Sequence, residues 1–115
     1  MKTVRMFFVF IVAVTLTACS AGISLYSPQE QAQIGQQLDK EIRANTKDYP
    51  IDPRDAAVID YITKNIFQPI LNSPAVKYKG VFNYQLEIIH KDSVINAFAT
   101  PGGFVYVYTG LLKYI

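Results

Sequence analysis

The chain has 115 residues, 11 of them basic and nine acidic, with a formal charge of +2 and a single cysteine. This length gives room for one small domain and not two. The absence of a basic run argues against nucleic-acid binding, and one cysteine excludes an intramolecular disulfide framework.

The N-terminus has the pattern of a bacterial export signal. Lys2 and Arg5 precede an apolar run at positions 6–16, which is too short to span a bilayer because a transmembrane helix needs roughly 20 residues. The next residues, Leu-Thr-Ala-Cys at 16–19, resemble the recognition sequence of lipoprotein signal peptidase. We therefore predict a signal peptide at 1–18, lipid attachment at Cys19 and a lipidated tether at 19–26. The alternative is an ordinary secretory signal beside an accidental cysteine.

Acylation of Cys19 would make the membrane the first partner of the chain and leave no free thiol. Removing the first 18 residues leaves 97, with nine basic and nine acidic side chains. Ser20, in place of an aspartate, follows the pattern of outer-membrane sorting in enteric-type bacteria. The predicted location is the bacterial cell envelope, at the outer membrane facing the periplasm, with the inner membrane as the alternative.

Two helices are predicted before any strand. Ser27 to Glu30 reads as a capping box with proline at the first helical position, so the first helix should span 28–44. Its apolar stripe is Ile34, Leu38 and Ile42 on a Gln-rich surface; the stripe predicts core packing, or otherwise a partner-binding helix. A second helix is predicted near 53–68, ended or kinked by Pro69. Its expected buried face consists of Val58, Ile59, Ile62 and Ile66.

Three strands are predicted near 81–90, 94–99 and 104–108. In the first, alternation places Phe82, Tyr84, Leu86 and Ile88 on the buried face and Asn83, Gln85 and Glu87 on the other. The second and third are joined by a turn containing Pro101, Gly102 and Gly103. Thr109 should be the N-cap of a third helix at 110–115. The predicted class is α+β, with two N-terminal helices packed on a small antiparallel sheet of three strands.

Residues 96–107, Asn-Ala-Phe-Ala-Thr-Pro-Gly-Gly-Phe-Val-Tyr-Val, followed by Thr109-Gly110-Leu111-Leu112, resemble a zinc metalloendopeptidase family. The family includes the HtpX heat-shock proteases, the CAAX prenyl proteases, the Oma-type mitochondrial proteases and periplasmic lipoprotein relatives. The resemblance covers roughly residues 27–115, which it implies are the N-terminal portion of a zincin-like domain. In that family a helix with His-Glu-x-x-His follows, and this sequence lacks it. The resemblance therefore implies a sequence truncated before its catalytic helix.

Zinc is implied for the full-length family member, but we predict no cofactor and no catalytic residue in this chain. Catalytic zinc needs about three protein ligands, and His90 is the single histidine. We expect His90 to be an exposed residue at the end of a strand rather than a metal ligand.

The resemblance also implies a substrate-side strand, formed by Asn96, Ala97, Phe98 and Ala99, beside the cleft. An edge strand of this kind pairs with an extended peptide through main-chain hydrogen bonds; the alternative is an ordinary hairpin. The expected function is that of a lipid-anchored metalloendopeptidase in envelope protein quality control, inactive as this chain, with unfolded envelope proteins as substrates or partners. The alternative function is a non-catalytic lipoprotein that binds a protein through its hairpin edge or its Gln-rich helix.

Overall fold

A computed structural model describes residues 24–115; the predicted signal peptide and Cys19 lie outside them. Helix α1 spans Pro28–Ala44 and has the bounds predicted from sequence. Its capping box is complete, because the Ser27 hydroxyl accepts from the Glu30 N–H while the Glu30 carboxylate accepts from the Ser27 N–H. This reciprocal pair satisfies backbone donors that the first helical turn leaves without partners.

The second helical segment is a continuous run of four pieces. A 3-10 turn at Pro53–Asp55 leads into helix α2 at Ala56–Ile62, a π-helical turn at Thr63–Phe67 and helix α3 at Gln68–Leu71. Pro69 has no N–H to continue an α-helical ladder, but it is the second residue of α3, directly after the π turn, where the segment's hydrogen-bond pattern already changes. The segment therefore passes through Pro69 and ends at Leu71, later than predicted.

The sheet has three strands, β1 at Gln85–Ile89, β2 at Ala97–Thr100 and β3 at Phe104–Tyr108, in the spatial order β1-β3-β2. Strands β2 and β3 are antiparallel, whereas β1 is parallel to β3. The α+β class is confirmed, but the prediction of an entirely antiparallel sheet is wrong.

The composition of β3 explains why it takes the centre. Its five residues are apolar on both faces, as a strand flanked by two others requires, while β1 carries Gln85 and Glu87 and β2 is alanine-rich. The connection at 90–96 therefore carries the chain past β3, and β1 and β2 become the two edges. Helix α4, at Thr109–Tyr114, follows β3 directly; its N-cap is Tyr108, not the predicted Thr109.

The core lies between α1 and one face of the sheet. Its buried members are Ile42, Ile89, Phe104, Tyr106 and Tyr108, with Tyr49, Val94 and Phe98 packed against them. The other face of β1 meets the second helical segment across an open groove of about 310 Å³, lined in part by Ile59, Tyr84 and Leu86. Helices thus approach β1 from both sides.

This arrangement corrects part of the predicted burial. The expected alternation holds at 82–86, but Ile88 and Ile89 are both fully buried because β1 has helices on either face. On the second helical segment, Ile59 and Ile62 are half-buried, whereas Val58 and Ile66 are 42% and 52% exposed. The face predicted to be buried is therefore only half covered. No helix within residues 24–115 is long and apolar enough to cross a membrane.

Candidate substrate-binding edge

Strand β2 contains three of the four residues predicted to face substrate. Ala97, Phe98 and Ala99 lie in the strand, and Asn96 directly precedes it. Because β2 pairs only with β3, one side of its backbone has no neighbouring strand among residues 24–115. The candidate site is therefore a free sheet edge four residues long.

The pairing with β3 determines which backbone groups point out from this edge. The Tyr108 N–H donates to the Asn96 carbonyl at 3.1 Å, so Asn96 and Tyr108 are a hydrogen-bonded pair. Such pairs alternate along an antiparallel ladder with pairs whose N–H and C=O groups point away from each other. The outward groups of β2 are therefore those of Ala97 and Ala99.

One outward group is already occupied. The Asn96 side-chain oxygen accepts from the Ala97 N–H at 2.8 Å. This leaves the Ala97 carbonyl and both backbone groups of Ala99 for an added strand. The edge thus offers a short, defined set of hydrogen-bonding positions, and Asn96 limits its length.

Phe98 supports the strand from the core side. Its ring stacks on Tyr106 with centroids 4.9 Å apart, and the Tyr106 hydroxyl donates to Asp39 on α1 at 2.7 Å. Burial and this hydrogen bond raise the pKa of Tyr106 above its ordinary value. Arg43 pairs with Asp39 at 2.9 Å and with Glu87 on β1 at 2.7 Å. The edge is thus backed by a polar network joining α1 to two strands.

The turn residues hold the hairpin against α1. Gly102 and Gly103 adopt φ values of +84° and +97°, a region that L side chains rarely enter. On α1, a Cβ added at Gly35 would lie 1.9 Å from the Pro101 carbonyl oxygen. Only glycine at position 35 permits this approach. The sequence reasoning missed Gly35, whose one signal was a glycine within an otherwise regular helix.

His90 does not fit its prediction. It follows β1, but its Nδ1 lies 2.8 Å from Asp55 Oδ2, its side chain is 36% exposed, and its N–H donates to the Pro50 carbonyl at 2.6 Å. The expectation of a merely exposed residue is therefore wrong: His90 attaches the start of the second helical segment to the end of β1. Asp55 is buried, and a carboxylate at that depth requires such a partner.

The described residues do not fit a zinc site. Within residues 24–115 no group of three histidine, cysteine, aspartate or glutamate side chains is placed to hold a metal ion. His90 is directed to Asp55, and Asp39 and Glu87 are both paired with Arg43.

Comparison with protein families gives a match for the part of the chain that contains the sheet. The family model described as Peptidase family M48 matches residues 60–115. The match supports an M48-family metallopeptidase relationship for these residues. No curated protein matches the chain. The matched residues contain the edge strand and its turn, whereas α1, which supplies Gly35 and Asp39, precedes them.

Proposed function

We propose that this chain is the N-terminal portion of a lipid-anchored zinc metalloendopeptidase that acts in envelope protein quality control. The M48-family match supports the metallopeptidase relationship. The observation that carries the role of this portion is the free edge of β2, with the Ala97 carbonyl and the Ala99 N–H and carbonyl directed outward. An extended, unfolded chain would bind there as a further strand.

Main-chain pairing suits a quality-control substrate. Backbone hydrogen bonds are common to all sequences, and the alanine side chains at 97 and 99 are exposed and small, so they leave room for varied substrate side chains. Asn96, by occupying the Ala97 N–H, fixes the register in which the substrate pairs. In this proposal the chain binds and aligns substrate but lacks the zinc ligands, so it is inactive alone.

The proposal is tested by supplying what the chain lacks. The full chain is prepared alone and as a fusion to a family segment bearing His-Glu-x-x-His, and both are assayed for bound zinc and for hydrolysis of unfolded casein. We expect neither property in the chain alone and both in the fusion. Zinc-dependent hydrolysis by the chain alone would refute the proposal, since one histidine cannot provide the roughly three ligands that catalytic zinc needs.

Two proline variants of the active fusion test the edge itself. Ala99→Pro removes an outward N–H that substrate needs, whereas Ala97→Pro removes one that Asn96 already occupies. We expect KM for casein to rise at least about tenfold in Ala99→Pro, as loss of about 1.4 kcal/mol would produce, and to change much less in Ala97→Pro. Equal effects of the two variants would show that β2 is not the substrate edge. In that case a non-catalytic surface, such as the Gln-rich face of α1, would be the better candidate for partner binding.

A further inference from the structure

The loop before β1 presents aromatic and basic side chains to solvent. We call residues 77–84 the aromatic loop. Tyr78 is 49% exposed, Val81 is 38% exposed, and Lys77 and Lys79 are exposed beside them. The sequence has no acidic residue at positions 61–86. This surface therefore combines apolar and positive character without an opposing charge from its own segment.

The loop is ordered by its own hydrogen bonds. The N–H groups of Val81 and Phe82 donate to the Tyr78 carbonyl at 2.9 and 2.8 Å, and the Tyr84 hydroxyl donates to the Lys77 carbonyl at 2.7 Å. Tyr78 has φ of +59°, which is uncommon for a bulky side chain and costs conformational free energy. Its ring nevertheless packs 5.2 Å from that of Phe82. The exposure of Tyr78 is thus a feature of a folded loop.

Direct contacts connect this loop to the start of the described chain. A Cβ added at Gly103 would lie 2.9 Å from the Tyr84 ring, and one added at Gly102 would lie 3.0 Å from the Gln31 carbonyl oxygen. The Gln31 side-chain amide donates to the Ser24 hydroxyl and to the Tyr26 carbonyl, each at 3.0 Å. The aromatic loop and the hairpin turn therefore lie at the same end of the sheet, and residues 24–26 lie close to them.

The predicted anchor residue precedes that end by a few positions in the sequence. Cys19 precedes Ser24 by five residues, and such a segment spans at most about 18 Å when fully extended. A lipid on Cys19 would hold the end that carries the aromatic loop near the bilayer. Leu25 and Tyr26, near the start of the described residues, are 91% and 54% exposed.

We propose that the aromatic loop is a membrane-contact surface, in which Tyr78 and Val81 enter the headgroup layer and Lys77 and Lys79 contact anionic phospholipid headgroups. Tyrosine favours this layer because its ring is apolar and its hydroxyl is polar. Lysine places its methylene stem along the apolar zone with its ammonium among the headgroups, and anionic lipid attracts it. The location of this contact rests on the proposed acylation of Cys19. The contact itself would fix the orientation of the domain on the membrane.

A single-tryptophan experiment tests the contact. The chain contains no tryptophan, so Tyr78→Trp introduces one reporter into the loop. Tyr114→Trp is the matched control, because Tyr114 is 75% exposed and follows the end of β3 opposite the hairpin turn. The full chain is coupled through Cys19 to a maleimide phospholipid in vesicles of phosphatidylcholine and phosphatidylglycerol, so that cellular acylation is not needed.

We expect the Tyr78→Trp emission to shift to shorter wavelength on coupling and to lose intensity when the vesicles contain phospholipid brominated near the headgroup. The Tyr114→Trp emission should do neither. Absence of both effects at position 78, or equal quenching at the two positions, would overturn the proposal. If the loop binds a protein instead of a membrane, the Tyr78→Trp emission should neither shift nor lose intensity.

Charge variants in the Tyr78→Trp background separate headgroup binding from simple proximity. Lys77→Gln with Lys79→Gln should reduce the quenching on vesicles with phosphatidylglycerol, whereas the exposed pair Lys40→Gln with Lys47→Gln, of equal charge change, should not. Equal reduction in both pairs would contradict a specific loop contact. Because Cys19 is coupled to lipid chemically, a negative result here would contradict the loop contact but not the proposed acylation of Cys19 in cells. Conversely, a failure of lipidation in cells leaves the loop chemistry measurable.

Discussion

Gly35 controls how closely α1 approaches the hairpin turn. Its substitution by alanine would add a Cβ at 1.9 Å from the Pro101 carbonyl oxygen, so the helix or the turn must move. Alanine favours a helix over glycine by up to about 1 kcal/mol, but overpacking against backbone costs about 1–3 kcal/mol. We expect Gly35→Ala to lower the free energy of unfolding by roughly 1–2 kcal/mol in urea titration of the full chain in detergent.

Gly80→Ala is the control for this substitution. Nothing lies within 4 Å of a Cβ added at Gly80, and its φ is not positive. Its free energy of unfolding should be unchanged or raised by less than about 1 kcal/mol, because alanine restricts the unfolded chain. A Gly35→Ala protein as stable as Gly80→Ala would show that the close contact is not maintained in solution.

Tyr106 should make the protein sensitive to alkali. Burial and the hydrogen bond to Asp39 raise the pKa of Tyr106, while an unfolded tyrosine ionises near pH 10. Above that pH the unfolded state binds fewer protons than the folded state, so the free energy of unfolding falls as pH rises. We expect Tyr106→Phe to lower the free energy of unfolding by about 1 kcal/mol at neutral pH. Above pH 10 the variant should lose less of its stability than the unchanged protein does, by up to about 1.4 kcal/mol per pH unit.

The measurement is urea unfolding at a series of pH values from 7 upward to about 11. Tyr108, whose pKa is also raised by burial, remains in both proteins, so some alkaline loss should persist in the variant. Parallel alkaline curves for the two proteins would mean that Tyr106 ionises equally in the folded and unfolded states.

Contacts such as these mark the limit of sequence reasoning for single residues. The capping role of Ser27 and Glu30 is local, and the sequence predicted it. The pairing of Tyr106 with Asp39 joins residues far apart in the chain, and nothing in the spacing of either indicates the other. The prediction for His90 was wrong for the same reason: its partner Asp55 belongs to a different element.

The side chain of Asn96 determines how many backbone groups of the β2 edge are free to pair. Asn96→Ala would release the Ala97 N–H and add one donor to the free edge. Unpaired strand edges promote association between copies. We therefore expect Asn96→Ala to increase self-association, measured by sedimentation of the full chain in detergent, while Asn96→Asp, which keeps the acceptor and adds charge, should not. Equal sedimentation of the alanine variant and the unchanged protein would contradict the capping role.

Helices and strands differ in how much of them the sequence could predict. Helix α1 and strand β3 have the predicted bounds, since capping residues and alternation are signals within the element itself. Strand β1 begins at Gln85 instead of 81, because a turn closed by hydrogen bonds to the Tyr78 carbonyl occupies the preceding residues. The neighbours of β3 were not predictable from spacing, because the choice between pairing β1 with β2 or with β3 depends on which strand best fills the centre of the sheet.

Anchoring of the whole molecule is tested at Cys19. In cells supplied with labelled palmitate, we expect the full chain to become labelled and processed, and Cys19→Ser to prevent both. Ser20→Ala, beside the attachment site, is the control and should be labelled normally. A Cys19→Ser protein that matures and stays on the membrane would contradict the lipoprotein prediction.

The central position of β3 also has a consequence for the order of events during synthesis. Strand β1 is made first, but its register partner for Gln85 is Phe104, 19 residues later, and β1 cannot pair until β3 exists. At about 5–20 residues per second, the ribosome needs roughly 1–4 s to make that interval. Strands β2 and β3, being joined by a tight turn, can associate within about 1–10 μs once both are present. The hairpin therefore forms first, and β1 remains an unpaired strand until β3 is in place.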